Sequence, residues 1–307
     1  MQGGERYYSI SDYLKKTFGG KTIKLSLDAG FTCPNRDGTA GFGGCAFCSS
    51  SGSGEFASPI SADSISEQIN LLSDKWPNAK HIAYFQNHTN TYAPVETLRK
   101  YFYQALEDPR IDGIAIATRP DCLGEDVLDL LDEINRNHFL WVELGLQTIH
   151  DRTSELMGIG YPLEVFDQAI HELHRRGIRT VVHMILGLPG EIREDMFKTA
   201  AYIAKVHPFG VKIHMLNIVR GSRLYDMMPD YVPFQSIEEY CELVVDILEV
   251  LPPDVTIHRL TADTQRGLLV APEWSYQKRT ILNRINRRLK VRDTRQGAKY
   301  FPDKNKV

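Results

Sequence analysis

The sequence predicts an α/β fold, a partial (βα)6 barrel of TIM type with parallel strands and a C-terminal extension. Three observations predict it. Short apolar runs rich in β-branched residues recur along the chain. A longer amphipathic stretch follows each of them, and strands alternating with helices in this way imply a parallel sheet covered by helices. The residues just beyond each run are polar or glycine-rich, and parallel barrels carry their function at those strand ends.

The runs are read in chain order. The first, residues 22–28, is followed by Cys33-Pro34-Asn35. The second, 81–86, ends in Gln86-Asn87-His88-Thr89-Asn90-Thr91-Tyr92, and the third, 113–118, in Thr118-Arg119-Pro120-Asp121-Cys122. The fourth, 140–147, carries Glu143-Leu144-Gly145-Leu146-Gln147. The fifth, 179–186, carries His183 and then Gly187-Leu188-Pro189-Gly190-Glu191. The sixth, 211–218, carries His214 and Asn217, with Arg220-Gly221-Ser222 beyond. Helical patterns span 64–74, 95–107, 125–137, 163–176 and 191–206. A further strand at 255–260 and a helix at 278–290 extend or flank the sheet. With no repeat, low-complexity tract or linker, the expectation is a barrel domain over 1–225 and an extension over 226–307.

The 307 residues suffice for one large core. Hydrophobic residues make up 42% and charged residues 24%, a soluble globular balance. The net charge of −3 announces no polyanionic partner for the molecule as a whole. No apolar run approaches the roughly 18 residues of a membrane span. Met1 to Arg6 lacks the charged-then-apolar layout of a signal peptide. The expectation is therefore a cytoplasmic protein, away from membranes, with reduced thiols.

Three of the five cysteines lie between positions 33 and 48, which in a reducing compartment suggests metal rather than disulfides. Cys45 and Cys48 form a C-x-x-C pair, and eleven residues separate Cys33 from Cys45. The connecting loop holds Gly38, Gly41, Gly43 and Gly44, which let a backbone wrap closely around a metal centre. Three thiolates leave one iron of a cubane without a protein ligand. A structural zinc would need a fourth ligand, for which His81 and His88 are the nearest histidines. Three unrelated buried cysteines are the bland alternative. Cys241 lies in an apolar helical pattern and reads as core, whereas Cys122 sits on the rim.

The C-x(11)-C-x-x-C spacing, with Phe47 ahead of the last cysteine, resembles the radical S-adenosylmethionine (SAM) superfamily, within it the YhcC/YtqA-type proteins. The resemblance extends through Tyr84-Phe85-Gln86, Thr89 to Pro94, Thr118 to Leu123, Glu143 to Thr148 and Gly187 to Glu191. It implies a [4Fe–4S] cluster on Cys33, Cys45 and Cys48, with SAM on the open iron. It also implies reductive cleavage of SAM to a 5′-deoxyadenosyl radical that abstracts hydrogen from substrate, fed by a donor such as flavodoxin or ferredoxin. Phe47, Gln86, Glu143, Gln147 and His183 are the expected SAM contacts. A salt bridge from Glu143 to Arg119 and a core role for His183 are the structural alternatives. One departure stands out: where relatives carry an arginine suited to the SAM carboxylate, this chain has Ile159. Arg119, Arg220 or Arg223, or the iron alone, would then serve.

From Lys278 to Lys299 the chain carries nine basic residues against one acid, Asp293, with Trp274, Tyr276 and Tyr300 at the edges. Such a stripe suits phosphates and stacked bases, so Arg284, Arg287, Arg288 and Arg292 are candidate RNA contacts. The alternative is a solvated helix face over a core stripe of Ile281, Leu282, Ile285 and Leu289. The resemblance supports tRNA, because YtqA-type proteins look like modifiers of wobble-uridine side chains and share motifs with the elongator catalytic subunit. A small-molecule substrate, or a non-enzymatic Fe–S or zinc scaffold, remains open.

Overall fold

The computed structural model describes residues 6–49, 57–265 and 267–302. Residues 1–5, most of the stretch read above for a signal peptide, lie outside them. Among the described residues the order begins α1 (Ile10–Phe18), β1 (Thr22–Asp28), α2 (Pro34–Asp37), β2 (Ser58–Pro59) and α3 (Ala62–Ser73). Then come β3 (Lys80–Phe85), α4 (Val95–Leu106), β4 (Gly113–Thr118), α5 (Glu125–Asn137) and β5 (Phe139–Gln147). Next are α6 (Asp151–Met157), α7 (Leu163–Arg175), β6 (Arg179–Leu186), α8 (Arg193–Val206), β7 (Gly210–Met215) and β8 (Ile218–Val219). The chain ends with α9 (Arg223–Met227), α10 (Ile237–Val250), β9 (Thr256–Arg259), β10 (Leu269–Ala271) and α11 (Lys278–Val291).

Among these residues, β2, β1, β3, β4, β5, β6, β7 and β9 form, in that order, one eight-stranded parallel sheet. A small antiparallel pair joins β10 to β8. This is the α/β, partial TIM-barrel class that the alternating runs predict. The strand at 255–260 extends the sheet as β9, with Val211 opposite Ile257. The sixth run splits, since β7 stops at Met215 and Ile218 belongs to β8.

The chain divides into two compact units, each discontinuous in sequence. The first comprises Ser11–Gly145 and Gly158–Val181. Its strand β4 alternates Ile114 and Ile116 with Ala115 and Ala117, all buried. Ala115 stands between Tyr84 and Trp141, and Ala117 stands opposite Glu143. The two small side chains leave room above β4 for the larger ones to meet, as residues two apart on a strand share a face. Helix α5 covers this sheet with Val127, Leu128, Leu130, Leu131 and Ile134 buried. Its acids Glu125 and Asp126 occupy the first turn and Arg136 the last, as the helix dipole favours.

The second unit comprises Met1–Ile10, Leu146–Met157 and Val182–Val307. Helix α10 starts at an N-cap, Ser236, whose side chain accepts from the Glu239 N–H. It packs against α8 and α11. Helix α11 buries Ile281, Ile285 and Leu289 of the core stripe legible in the sequence, while Leu282 is half-buried. Burying each such side chain stabilises by about 1.5–3 kcal/mol. Gln296, 2% exposed, donates to the carbonyls of Pro252 (2.6 Å) and Val255 (2.7 Å) and accepts from the Tyr8 N–H (2.9 Å). One side chain thereby ties the N-terminal segment to the start of β9.

Candidate metal and cofactor site

The predicted cluster loop is wound around α2. Cys33 is the residue before the helix, with extended backbone, and Pro34 fills the first helical position, where no N–H partner is needed. The Cys33 carbonyl accepts from the N–H groups of Arg36 (2.8 Å) and Asp37 (3.3 Å). The Pro34 carbonyl accepts from Ala40 and Gly41, and the Asn35 carbonyl accepts from Gly44 at 2.8 Å. Gly38 ends the helix with φ +95°, and a Cβ there would stand 2.5 Å from the Phe42 ring. A short helix thus acts as the post around which 38–45 turns back, bringing Cys45 and Cys48 to the side of Cys33. A Cys45 carbonyl bond from the Cys48 N–H (3.0 Å) closes the C-x-x-C turn.

All five cysteines are free thiols. Cys48 is pushed well above the ordinary thiol range by a hydrogen bond with Cys45, by burial and by the Cys45 charge, while Arg36 pulls the other way. Cys33 also raises it, so both other predicted ligands lie within electrostatic reach of Cys48. Among the described residues no three His, Cys, Asp or Glu side chains converge on a single metal ion. A cubane offers each thiolate its own iron, so its ligands surround a cluster instead of meeting at a point. The donor set, three thiols on one glycine-rich loop, fits that group.

Most of the polar motif after β3 serves the scaffold. Asn90 donates to the carbonyls of Phe85, Asn87 and Ala117, and Thr91 bonds Thr118 and the Cys122 carbonyl. The Thr89 N–H donates to the Thr32 carbonyl, and Tyr92 meets Thr39 at 2.8 Å, so this segment buttresses the cluster loop. Two buried atoms there have no hydrogen-bond partner among the described residues, Asn87 Oδ1 and Thr89 Oγ1. Buried polar atoms are nearly always satisfied. Together with the half-buried side chain of Gln86 just before them in the chain, they are polar atoms of the kind that suit an amino or hydroxyl group of a bound cofactor. The sequence motif contained both residues but did not distinguish them from the structural ones around them.

Glu143 is wholly buried, and its partners include Tyr84 Oη, which donates to Oε2 at 2.7 Å, and Trp141 Nε1, which donates to Oε1 at 3.0 Å. The expected alternative partner, Arg119, is occupied elsewhere. Its Nε and Nη2 donate to Asp121 (2.9 and 2.7 Å) and its Nη1 to the Ile159 carbonyl (2.9 Å), over the face of Tyr161. Arg119 is therefore not the free cation that a SAM carboxylate would need. Arg220 and Arg223 are exposed. Cys122, beside Asp121, is pushed up to about 12 by burial and that carboxylate, a thiol rather than a ready ligand.

In the second unit Gln147 ends β5 half-buried with φ +67°. The His183 ring lies 5.1 Å from His214. Asn217 donates to Thr264 at 2.6 Å, while its buried Oδ1 has no hydrogen-bond partner among the described residues. Lys212, 2% exposed, was not singled out by the sequence reading, although a lysine amid the apolar run of β7 is the available signal. Glu191 accepts from Thr148 Oγ1, and burial raises its carboxyl above the usual range.

The basic segment divides by face. Arg284 pairs with Glu238, Arg288 with Glu242 (2.6 Å), and Arg292 with Glu242 and with Asp246 (2.6 Å). Three of the four candidate RNA contacts thus face acids of α10. Arg279, Arg287, Lys290 and Arg295 are exposed and have no ion pair among the described residues. Trp274 leans on Tyr240, with ring centroids 6.0 Å apart, and Cys241 is buried as expected.

Two family models match: "Radical SAM superfamily" over residues 33–203 and "Radical_SAM C-terminal domain" over 208–291. The uncharacterized protein YtqA of Bacillus subtilis (strain 168) is 43% identical over 97% of this chain and 93% of its own. A tRNA uridine(34) acetyltransferase of Methanocaldococcus jannaschii is 28% identical over 52% of this chain and 30% of its own. The archaeal Elp3 of Methanocaldococcus infernus shares the fold, with a TM-score of 0.67 and 17% identity over 90% of this chain and 64% of that one. No helix among the described residues is long and apolar enough to cross a membrane. With a cysteine loop of this form at the start of the matched region, the chain belongs to the radical SAM superfamily, in its YhcC/YtqA-type group, and is an enzyme of that superfamily.

Proposed function

We propose that Cys33, Cys45 and Cys48 hold a [4Fe–4S] cluster with SAM on its open iron, and that the substrate is a wobble-uridine side chain of tRNA. The observation that carries the cluster is the set of three free thiols on the glycine-rich loop wound around α2. When bound, cluster and SAM supply one-electron reduction and hydrogen-atom abstraction. The chain's own work is to hold, orient and exclude water. The wound loop fixes the thiols, Asn87 and Thr89 with Gln86 offer polar atoms to the SAM amino end, and buried Glu143 locks Tyr84 and Trp141 above β4. A small donor such as flavodoxin or ferredoxin would deliver the electron.

The half-chain likeness to a tRNA uridine(34) acetyltransferase supports RNA, as do the four exposed cations of the C-terminal segment that have no ion pair among the described residues. A small-molecule substrate is the second reading, favoured by the pairing of Arg284, Arg288 and Arg292 with α10. The test is anaerobic reconstitution with iron and sulfide, then reduction with SAM present. Formation of 5′-deoxyadenosine is expected, with deuterium entering it from labelled tRNA. Cys33→Ala, Cys45→Ala or Cys48→Ala should each abolish the brown chromophore or the cleavage, and Cys122→Ala and Cys241→Ala should keep both. Normal cleavage by Cys33→Ala would overturn the ligand set, and label arriving from a metabolite pool instead of tRNA would overturn the substrate.

A further inference from the structure

Asn35 follows the first predicted ligand by two residues and is 3% exposed. Its Nδ2 faces three acceptors: the carbonyls of Gly158 (2.8 Å) and Ile159 (2.9 Å) and the sulfur of Cys45 (3.3 Å). The orientation of the amide is set by its surroundings, because the flipped form would aim an oxygen at two carbonyl oxygens. The other end is equally confined. A Cβ on Gly160 would stand 2.6 Å from Asn35 Oδ1, and Gly160 holds φ +84°, which an L side chain resists. The Ile159 carbonyl is itself pinned by Arg119, which is clamped by Asp121.

The segment 158–160 offers two backbone carbonyls and a position without a side chain, and together they orient the Asn35 amide, whose two N–H groups are shared among those carbonyls and the Cys45 sulfur. We infer that Asn35 is a positioning residue that sets the reduction potential of the cluster by donating to Cys45 Sγ. The inference rests on the cluster reading above. A hydrogen bond to a cluster sulfur stabilises negative charge there. The reduced cluster carries one more negative charge than the oxidised one, so the donor favours reduction and raises the potential. Rigidity matters here: a donor free to turn away would lose that bias, whereas this one is held from behind at two points.

The experiment is a mediated potentiometric titration of the reconstituted protein, without SAM or substrate, followed by the electron paramagnetic resonance signal of the reduced cluster. Iron and sulfide are counted in each sample. Asn35→Leu removes the donor at similar volume. At the wild-type midpoint its reduced-to-oxidised ratio should fall at least threefold, which is about 28 mV at about 59 mV per decade for one electron. Gly160→Ala displaces the same amide while leaving every polar group in place. It should move the midpoint in the same direction, and it decides the matter if Asn35→Leu does not retain four irons. Unchanged midpoints in iron-replete variants would overturn the inference while leaving the cluster reading intact. Wild-type protein that takes up no four-iron cluster would overturn both.

Discussion

At the scale of single residues, burial decides what a polar group can do. Glu143 accepts from Tyr84 and Trp141 with no exposure to water. Removing one partner of a buried hydrogen bond costs the desolvation of the other, about 1–3 kcal/mol. Tyr84→Phe should lower unfolding stability by that amount in urea titrations, and a loss within error of zero would mean that water replaces the hydroxyl. Glu191 gives a pH signature. Burial raises its carboxyl, against the Thr148 bond, so the folded state binds the proton more tightly than the unfolded chain. Its contribution to stability is therefore fully present below the ordinary carboxyl value of about 4.3 and is lost as pH rises through the raised folded value. Glu191→Gln keeps an acceptor for Thr148 and removes the titration. Its stability relative to wild type should grow between pH 4.5 and 7, and a constant difference across that interval would exclude the burial effect.

At the scale of elements, strands of six to nine residues were legible because their apolar runs were long enough to show a pattern. Residues 22–28, 113–118 and 179–186 coincide with β1, β4 and β6. The two-residue strands β2 and β8 have no period to detect, and seven-residue α6 has too few turns for one. The cysteine loop was legible as a spacing. The surroundings of Asn35 were not, because its carbonyl partners lie 123 and 124 residues away. Helix α11 shows the same limit: its core stripe could be read, but the acids that neutralise one face stand 46 and 50 residues earlier. Glu242 bridges Arg288 and Arg292 there. These side chains are partly exposed, so solvent screens them and surface pairs contribute about 0–1 kcal/mol. Glu242→Gln should cost about 0.5–1 kcal/mol at low salt, with the difference shrinking in 1 M salt. A salt-independent loss would point to packing instead.

At the scale of the whole molecule, a net charge of −3 gives no general attraction to a polyanion, so any RNA affinity must come from a local group of cations. The structure limits that group. Arg284, Arg288 and Arg292 face α10, which leaves Arg279, Arg287, Lys290 and Arg295 available in the segment. Each phosphate neutralised contributes about 0.7–0.9 to the slope of log affinity against log salt. If all four bind phosphates, this segment accounts for a slope of at most about −2.8 to −3.6. Arg287→Gln with Lys290→Gln should therefore weaken tRNA binding and reduce the slope by about 1.4–1.8. Arg288→Gln should reduce it far less, since that guanidinium already has a carboxylate partner. Filter binding or anisotropy between 50 and 200 mM salt would measure both. Equal effects of Arg287 and Arg288 would mean that the α10 pairs open for RNA. A wild-type slope near zero would remove RNA from this surface and favour a small-molecule substrate.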